Sequence, residues 1–401
     1  PSKDSGYTLD TEKSSCTNGS ISWDTKSWSP VITAGGEVKG RVSCTLYFKE
    51  VTAYDECVME YGTDSINCQI IAELDEDNCP NVNEDGSVNI NSIEAENAYV
   101  CSAPDDYGTS YYYRGNVNNN YVYFAGFYWR IIRINGDGSI RMIYDGTSTH
   151  ANGEETTDKQ IGKSYYNYYW KRNNIEEVSQ AKVYNDNAAI GYMYGNRDSI
   201  TGMTTSKEQA QENINDSTIK DFVDSWYEEN LLGTEDEQYL ADTLFCNDRT
   251  ILTPTPSDYY TTLGYGNNNT AYRWYISTSV NTDRVFLTCQ SQNDRFTVDD
   301  EVTGNGDLTY PIALLTTDEA ITAGAYKSNN TSYYLHSGQF EWTMTPGRYE
   351  GLAQVNYIQR VSYVGMSISV NAEYAVRPVI NLKPNSLASG DGTANNPYMV
   401  I

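Results

Sequence analysis

The sequence predicts an α+β protein, built mostly of short strands with a few helices and long irregular loops. Three observations carry that expectation. Residues Tyr121 to Gly146, "YVYFAGFYWRIIRINGDGSIRMIYDG", hold two aromatic and β-branched runs around Asn135-Gly136-Asp137-Gly138, residue types that tolerate positive φ in a tight turn. Two later segments carry helix start and stop signals. A string of short apolar segments then closes the chain, and helices followed by a run of strands is the α+β pattern. The length of 401 residues allows two or three domains. Three regions are expected: 1–50, 51–105 and 106–401.

Residues 1–50 read as a compact β-sandwich of the immunoglobulin-like kind. "SISWDTKSWSPVITAGGEVKGRVSCTLYFKE" offers short strands with turn signals at Ser29-Pro30 and Gly35-Gly36, and Cys16 and Cys44 lie near its two ends, where a disulfide between them is expected. In the connecting segment, 51–105, "VTAYDECVMEYG" reads as a short helix. The four cysteines Cys57, Cys68, Cys79 and Cys101 allow three connectivities, of which the neighbour pairs Cys57–Cys68 and Cys79–Cys101 are favoured.

From residue 106 the chain reads as one long domain. In the hairpin, apolar side chains fall at both parities between Trp129 and Ile134, so its first strand is expected to be covered on both faces and to lie centrally in a sheet. A polar stretch rich in Tyr and Asn follows, in which only "AAIGYMYG" (188–195) suggests a strand. "STIKDFVDSWYEENLLG" reads as a helix: Ser217 is the N-cap, Ile219, Phe222, Val223 and Trp226 form one apolar stripe, and Gly233 is the stop. "TTDEAITAG" announces a second helix, with Thr316 and Glu319 at capping-box spacing and Gly324 ending it. Strands are then expected at "YYLH", "FEWTMTP", "AQVNYIQRV", "YVGMSISV" and "YAVRPVINL".

Charge and composition exclude several classes. Lys and Arg total 27 against 54 Asp and Glu, a net charge of −27, which repels phosphate backbones and anionic lipid. Nucleic acid is therefore not an expected partner. No run approaches the roughly 20 apolar residues that span a bilayer, so membrane attachment is expected only through an anchor outside this chain. The chain opens on Pro1 with no visible signal peptide, and it reads as a mature or trimmed piece of something longer. Eight cysteines without a CxxC pair, and only two histidines, make zinc improbable and read as disulfides formed outside the cytoplasm. There are 36 tyrosines against 8 phenylalanines. Tyrosine is a favoured residue of recognition surfaces, and equally of half-buried strand positions.

One short motif bears on metal. "NVNEDGSVNINS" resembles a calcium loop of the EF-hand or dockerin type, with Asn81, Asn83 and Asp85 at alternating ligand positions, Gly86 at the turn and Ser87 offering its carbonyl. Its first residue is Asn and its closing position is Ser92 rather than an acid, so Asp85 would be the single charged ligand. The rival reading is an Asn/Gly-rich turn.

Several segments together resemble a set of surface proteins of low-GC Gram-positive bacteria, gut lineages included. They are "DDYGTSYYYRG", "GFYWRIIRINGDGSIRMIYDGT", "IGYMYG", "STIKDFVDSWYEENL", "FCNDRT", "TYPIALLTTDEAITAGAY", "EWTMTP" and "VRPVINLK…GDGTANNPYMV". The resemblance covers nearly all of 106–401, and it implies the fold shared by C-type lectins and the formylglycine-generating enzyme. "CTNGSISWDTKSWSPVI…CTLYF" is similar to the small β-domain that often stands beside the membrane anchor in such proteins. An extracellular, surface-anchored protein displaying a binding face is what the resemblance implies. Some relatives of this fold are variable proteins of diversity-generating retroelements, whose corresponding segment here is "TPGRYEGLAQVNYIQRVSYVGMSISVNAEYAVRP". Glu350, Gln354, Gln359, Met366 and Glu373 in that segment cannot arise from adenine randomisation of AAC or AAT codons, which argues against strong diversification.

Catalytic chemistry finds little purchase. Cys246 and Cys289 are the two cysteines of the long domain, and they read as a bridge pinning two loops. His150 and His336 lack an identifiable nucleophile partner, and Arg377 in an apolar strand calls for a structural carboxylate. None of the sugar-binding calcium motifs EPN, QPD or WND is present. The leading expectation is thus a non-enzymatic adhesion or ligand-binding protein with a protein or glycan ligand. Its contact residues are expected at Arg348, Tyr349, Asn356, Arg360, Tyr363 and Tyr374, since Tyr and Arg anchor recognition patches. A structural subunit of a surface appendage, such as a minor pilin or stem protein, is the alternative, and an enzyme on the same fold ranks last.

Overall fold

A computed structural model describes residues 5–24, 27–36, 41–90, 97–176, 183–197, 203–251, 270–271, 284–325, 330–364 and 366–401. It is a mixed α+β structure, mostly strand with few helices. The chain divides into two compact units, Pro1–Glu73 and Leu74–Ile401. Residues 51–73 of the expected connecting segment thus belong to the first unit, and 74–105 to the second.

The first unit pairs its strands two by two, all antiparallel: Tyr7–Leu9 with Phe48–Glu50, Ser15–Thr17 with Ser43–Thr45, and Gly19–Asp24 with Ser29–Ala34. Cys16 and Cys44 stand directly opposite each other in the second pair and are bonded. The segment "AYDECVMEY" is helical, as its sequence suggests. Thr52 caps it in a reciprocal capping box with Asp55. The Cys57–Cys68 disulfide ties this helix to the next, Ile66–Ile71. Among the described residues its buried apolar groups are Leu9, Trp28, Cys57, Ile66, Cys68, Ile70 and Ile71, a small core, the situation in which disulfides matter most.

The second unit is organised by two sheets. In the larger, nine strands among the described residues, the order is Ile312–Leu314, Pro378–Leu382, Ile140–Gly146, Phe127–Ile134, Tyr121–Phe124, Tyr398–Val400 and Leu387–Ser389; Gly108–Gly115 also pairs with Phe127–Ile134 and with Ala98–Asp105. The hairpin expected from sequence is its centre. Trp129, Ile131, Ile132, Ile134, Ile140, Met142 and Ile143 are none of them more than 2% exposed, so both faces are covered. Gly138 takes φ +81° in the turn. A Cβ on Gly136 would fall 2.5 Å from the Gly108 backbone nitrogen, so only glycine fits there.

The second sheet has the order Gly162–Tyr165, Glu373–Val376, Glu341–Tyr349, Ala353–Ile358 and Met366–Ser369, with Thr270–Ala271 pairing to Glu341–Tyr349. Arg377 alone separates the strand Glu373–Val376 of this sheet from Pro378–Leu382 of the larger one. One extended segment therefore serves both sheets.

Both expected helices form. Thr218–Asn230 is capped by Ser217, buries Ile219 and Val223, and sets Trp226 against Phe127, Trp129 and Tyr144. Thr317–Ala323 has the full capping box between Thr316 and Glu319 and ends at Gly324. Two short segments differ from expectation. "AAIGYMYG" becomes a 3₁₀ turn, Asn187–Ile190, with only Met193–Tyr194 as strand. "YYLH" is wholly buried but folds as turns. Its backbone bonds elsewhere: Arg377 donates to the Leu335 carbonyl at 2.7 Å and Lys159 to that of His336 at 2.8 Å, so cationic side chains replace a neighbouring strand.

Candidate functional site

Strand alternation and register assemble one aromatic cluster on the second sheet. Phe340 precedes the strand Glu341–Tyr349 and Trp342 is two residues on, so both rings face one side. Glu341 pairs with Ala375, which puts Tyr374 on that same side, and Tyr357 lies opposite Trp342. Tyr374 is the centre. Its ring lies 5.2 Å from Phe340 in a stacked arrangement, 5.1 Å from Trp342 and 5.2 Å from Tyr357. Trp342 donates from Nε1 to the Ser164 carbonyl at 2.9 Å, which fixes the base of the cluster. Trp342 and Tyr357 are buried, whereas Phe340 and Tyr374 are half-buried and form an open rim. Burial raises the phenol pKa of both Tyr374 and Tyr357, so both hydroxyls stay neutral.

Arg360 is exposed and stands over this rim, its guanidinium carbon 4.9 Å from the Phe340 ring centroid. The turn that carries it is pinned. The Gln359 amide donates to the Tyr363 carbonyl at 2.9 Å, the Ser362 amide donates to the Gln359 carbonyl at 2.8 Å, and Ser362 sits at φ +62°. The Ser362 hydroxyl also meets Nδ1 of buried His336 at 2.7 Å, which corrects the expectation that this histidine has no serine partner: the two are 26 positions apart in sequence and meet only in the fold. Burial, with Lys159 and Arg377 nearby, lowers the His336 pKa and keeps the ring neutral at pH 7.

The six expected contact residues separate. Arg360 and Tyr374 meet at the same ring, Phe340. Tyr363 is half-buried in the turn, and Arg348, also half-buried, bonds Gln354 at 3.0 Å and pairs with Glu350 at 3.3 Å. Tyr349 and Asn356 are corrected to structural roles. Tyr349 is 5% exposed and donates its hydroxyl to the Asn185 carbonyl at 2.9 Å; Asn356 is 1% exposed, and its carbonyl accepts from Thr343. Phe340, Trp342 and Tyr357 were not among the expected contacts, although the "FEW" alternation marks two of them as sharing a face. Many tyrosines take the other role that composition allowed: Tyr112, Tyr113, Tyr121, Tyr166, Tyr192, Tyr194, Tyr227, Tyr333 and Tyr334 are core.

The calcium-loop candidate is a β-hairpin turn. Asn81–Val82 pairs with Val88–Asn89, so Asn81 lies in a strand. Asp85 Oδ1 accepts from the Ser87 amide at 3.1 Å and from its hydroxyl at 2.6 Å, and Asn83 donates to that hydroxyl at 2.9 Å. The Ser87 carbonyl accepts from the Asn83 amide at 2.8 Å. The groups proposed as ligands are spent on one another. Ser92 lies outside the described residues. Among the described residues no group of three or more His, Cys, Asp or Glu is placed to hold a metal ion.

Among the described residues, the cysteines, Arg377 and His150 have the following partners. All eight cysteines are bonded, as Cys16–Cys44, Cys57–Cys68, Cys79–Cys101 and Cys246–Cys289, which points to an oxidising compartment. No helix among the described residues is long and apolar enough to cross a membrane. Arg377 finds Asp145 at 3.2 Å and Glu341 at 3.5 Å, both buried. His150 sits between Glu154 at 2.9 Å and Asp158 at 2.8 Å.

The chain matches no family model, no curated protein and no solved structure.

Proposed function

We propose that this is an extracellular, surface-anchored ligand-binding or adhesion protein. Its larger unit is read as C-type-lectin-like and its smaller one as a β-sandwich stem, with the anchor outside this chain. The observation that carries the reading is the open aromatic rim of Phe340 and Tyr374 beneath Arg360, held on a sheet whose base is already packed. Rigid aromatic and arginine side chains give contact area at low entropic cost, which is why recognition faces favour them. The four disulfides support an extracellular setting.

The test is a glycan and protein array probed with the full chain and with a Phe340→Ala/Tyr374→Ala variant. Capture by the native chain and its loss in a variant of unchanged thermal midpoint supports the reading. Equal capture by both, or capture by neither, defeats it.

A further inference from the structure

Arg360 differs in setting from five other arginines of the larger unit. Arg133, Arg141, Arg249, Arg295 and Arg377 each meet a carboxylate. Arg360 is exposed, and its contact among the described residues is the Phe340 ring, which accepts none of its five N–H donors in an ordinary hydrogen bond. The nearest acid along the Tyr374 strand is Glu373, and alternation turns it to the opposite face. Among the described residues buried Arg130 also meets no carboxylate, but it donates to the side chains of Asn120 and Asn152 and to the Val117 carbonyl, whereas no such acceptor is described for Arg360. The backbone that carries it is held, since His336 meets Ser362 and the turn closes between Gln359 and Tyr363, and the guanidinium lies over the Phe340 ring. A planar fork suits the two oxygens of a carboxylate. The half-buried rings beside it suit a flat body rich in C–H groups.

The net charge narrows the ligand further. A polyanion would run along a surface of net charge −27, whereas a single charge at Arg360 feels little beyond the Debye length of about 8 Å at physiological salt. We infer that Arg360 and the Phe340–Tyr374 rim form a subsite for one carboxylate carried on a ring, either a uronate saccharide or an aryl acid. This rests on the recognition reading above and names the ligand chemistry it takes.

The experiment titrates the full chain with methyl glucuronide and with phenylacetate, each against its neutral methyl ester, followed by ligand-observed NMR. At least one acid is expected to bind about tenfold more tightly than its ester, the scale of a charge-assisted hydrogen bond, and which acid does so identifies the ring. Arg360→Gln should abolish that preference and leave ester binding unchanged, and Arg360→Lys should keep part of it. Arg360 is exposed, so neither change threatens folding. Equal binding of acid and ester, a preference that survives Arg360→Gln, or no binding of either acid overturns the inference. Should Arg360→Gln still capture array ligands that Phe340→Ala/Tyr374→Ala loses, the recognition reading stands without the anion subsite.

Discussion

Glu319 and Arg141 face each other as an ion pair whose side chains are 3% and 1% exposed, joining the first turn of a helix to the central hairpin. Arg133 Nε lies 3.4 Å from the same carboxylate, and the Thr316 amide donates to it at 3.0 Å. Burial alone would raise the Glu319 pKa, but Arg141 and Arg133 bring it below its ordinary value. Glu319→Gln leaves buried Arg141 without its carboxylate, while Arg133 keeps Asp105 at 2.8 Å, and should cost about 3–5 kcal/mol in urea unfolding at pH 7. Because the folded pKa is depressed, this contribution is present above the unfolded value and disappears as pH falls through the folded one. The gap between native and variant should therefore close in acid. A gap that is constant with pH would contradict the account.

Alkaline pH should unfold the protein through its tyrosines. Burial pushes Tyr112 and Tyr144 up to about 12, and other core phenols such as Tyr166 and Tyr192 also rise. An unfolded tyrosine loses its proton near pH 10. The unfolded chain therefore binds fewer protons than the folded one above that pH, and stability present below 10 falls as pH climbs towards 12. Absorbance at 295 nm should show a tyrosine fraction that ionises only together with the loss of near-ultraviolet dichroism. Titration of all 36 tyrosines near pH 10 in the folded protein would contradict it.

The Cys246–Cys289 disulfide closes a sequence separation of 43 residues. Cys246 lies in a short strand paired with Arg295–Phe296, and the Cys289 amide donates to Asp106 at 2.8 Å. Cys246→Ser/Cys289→Ser should lower unfolding free energy by about 2–5 kcal/mol, read from the denaturant midpoint.

Gly136→Ala should destabilise more than an ordinary turn substitution. The added carbon meets backbone at Gly108 and Tyr107, 2.5 and 2.6 Å away, and neither can swing aside. A cost of about 1–3 kcal/mol is expected, the range for overpacking. A neutral result in thermal unfolding would mean that the hairpin turn stands farther from Gly108 than described.

Local signals were legible and long-range ones were not. The hairpin and both helix caps are written in residues a few positions apart, and each forms where its sequence places it. Tyr349 and Tyr374 look alike in sequence, yet one is buried and the other half-open. What separates them is Asn185, 164 positions from Tyr349 in the chain, and the pairing of Glu341 with Ala375. Phe340 becomes part of the site only through that same pairing. "YYLH" has the composition of a strand, and Arg377 and Lys159, remote in sequence, hold its carbonyls instead.

Tyr374 and the hydrophobic centre of the molecule share one uninterrupted stretch of backbone, hinged at Arg377 and clamped there by Asp145 and Glu341. Under the adhesion role proposed above, tension on a ligand held at Tyr374 would pass along that stretch into the nine-stranded sheet instead of peeling a loop. Such a route suits attachment under shear flow, where the grip of a tether depends on how its load is shared among parallel hydrogen bonds.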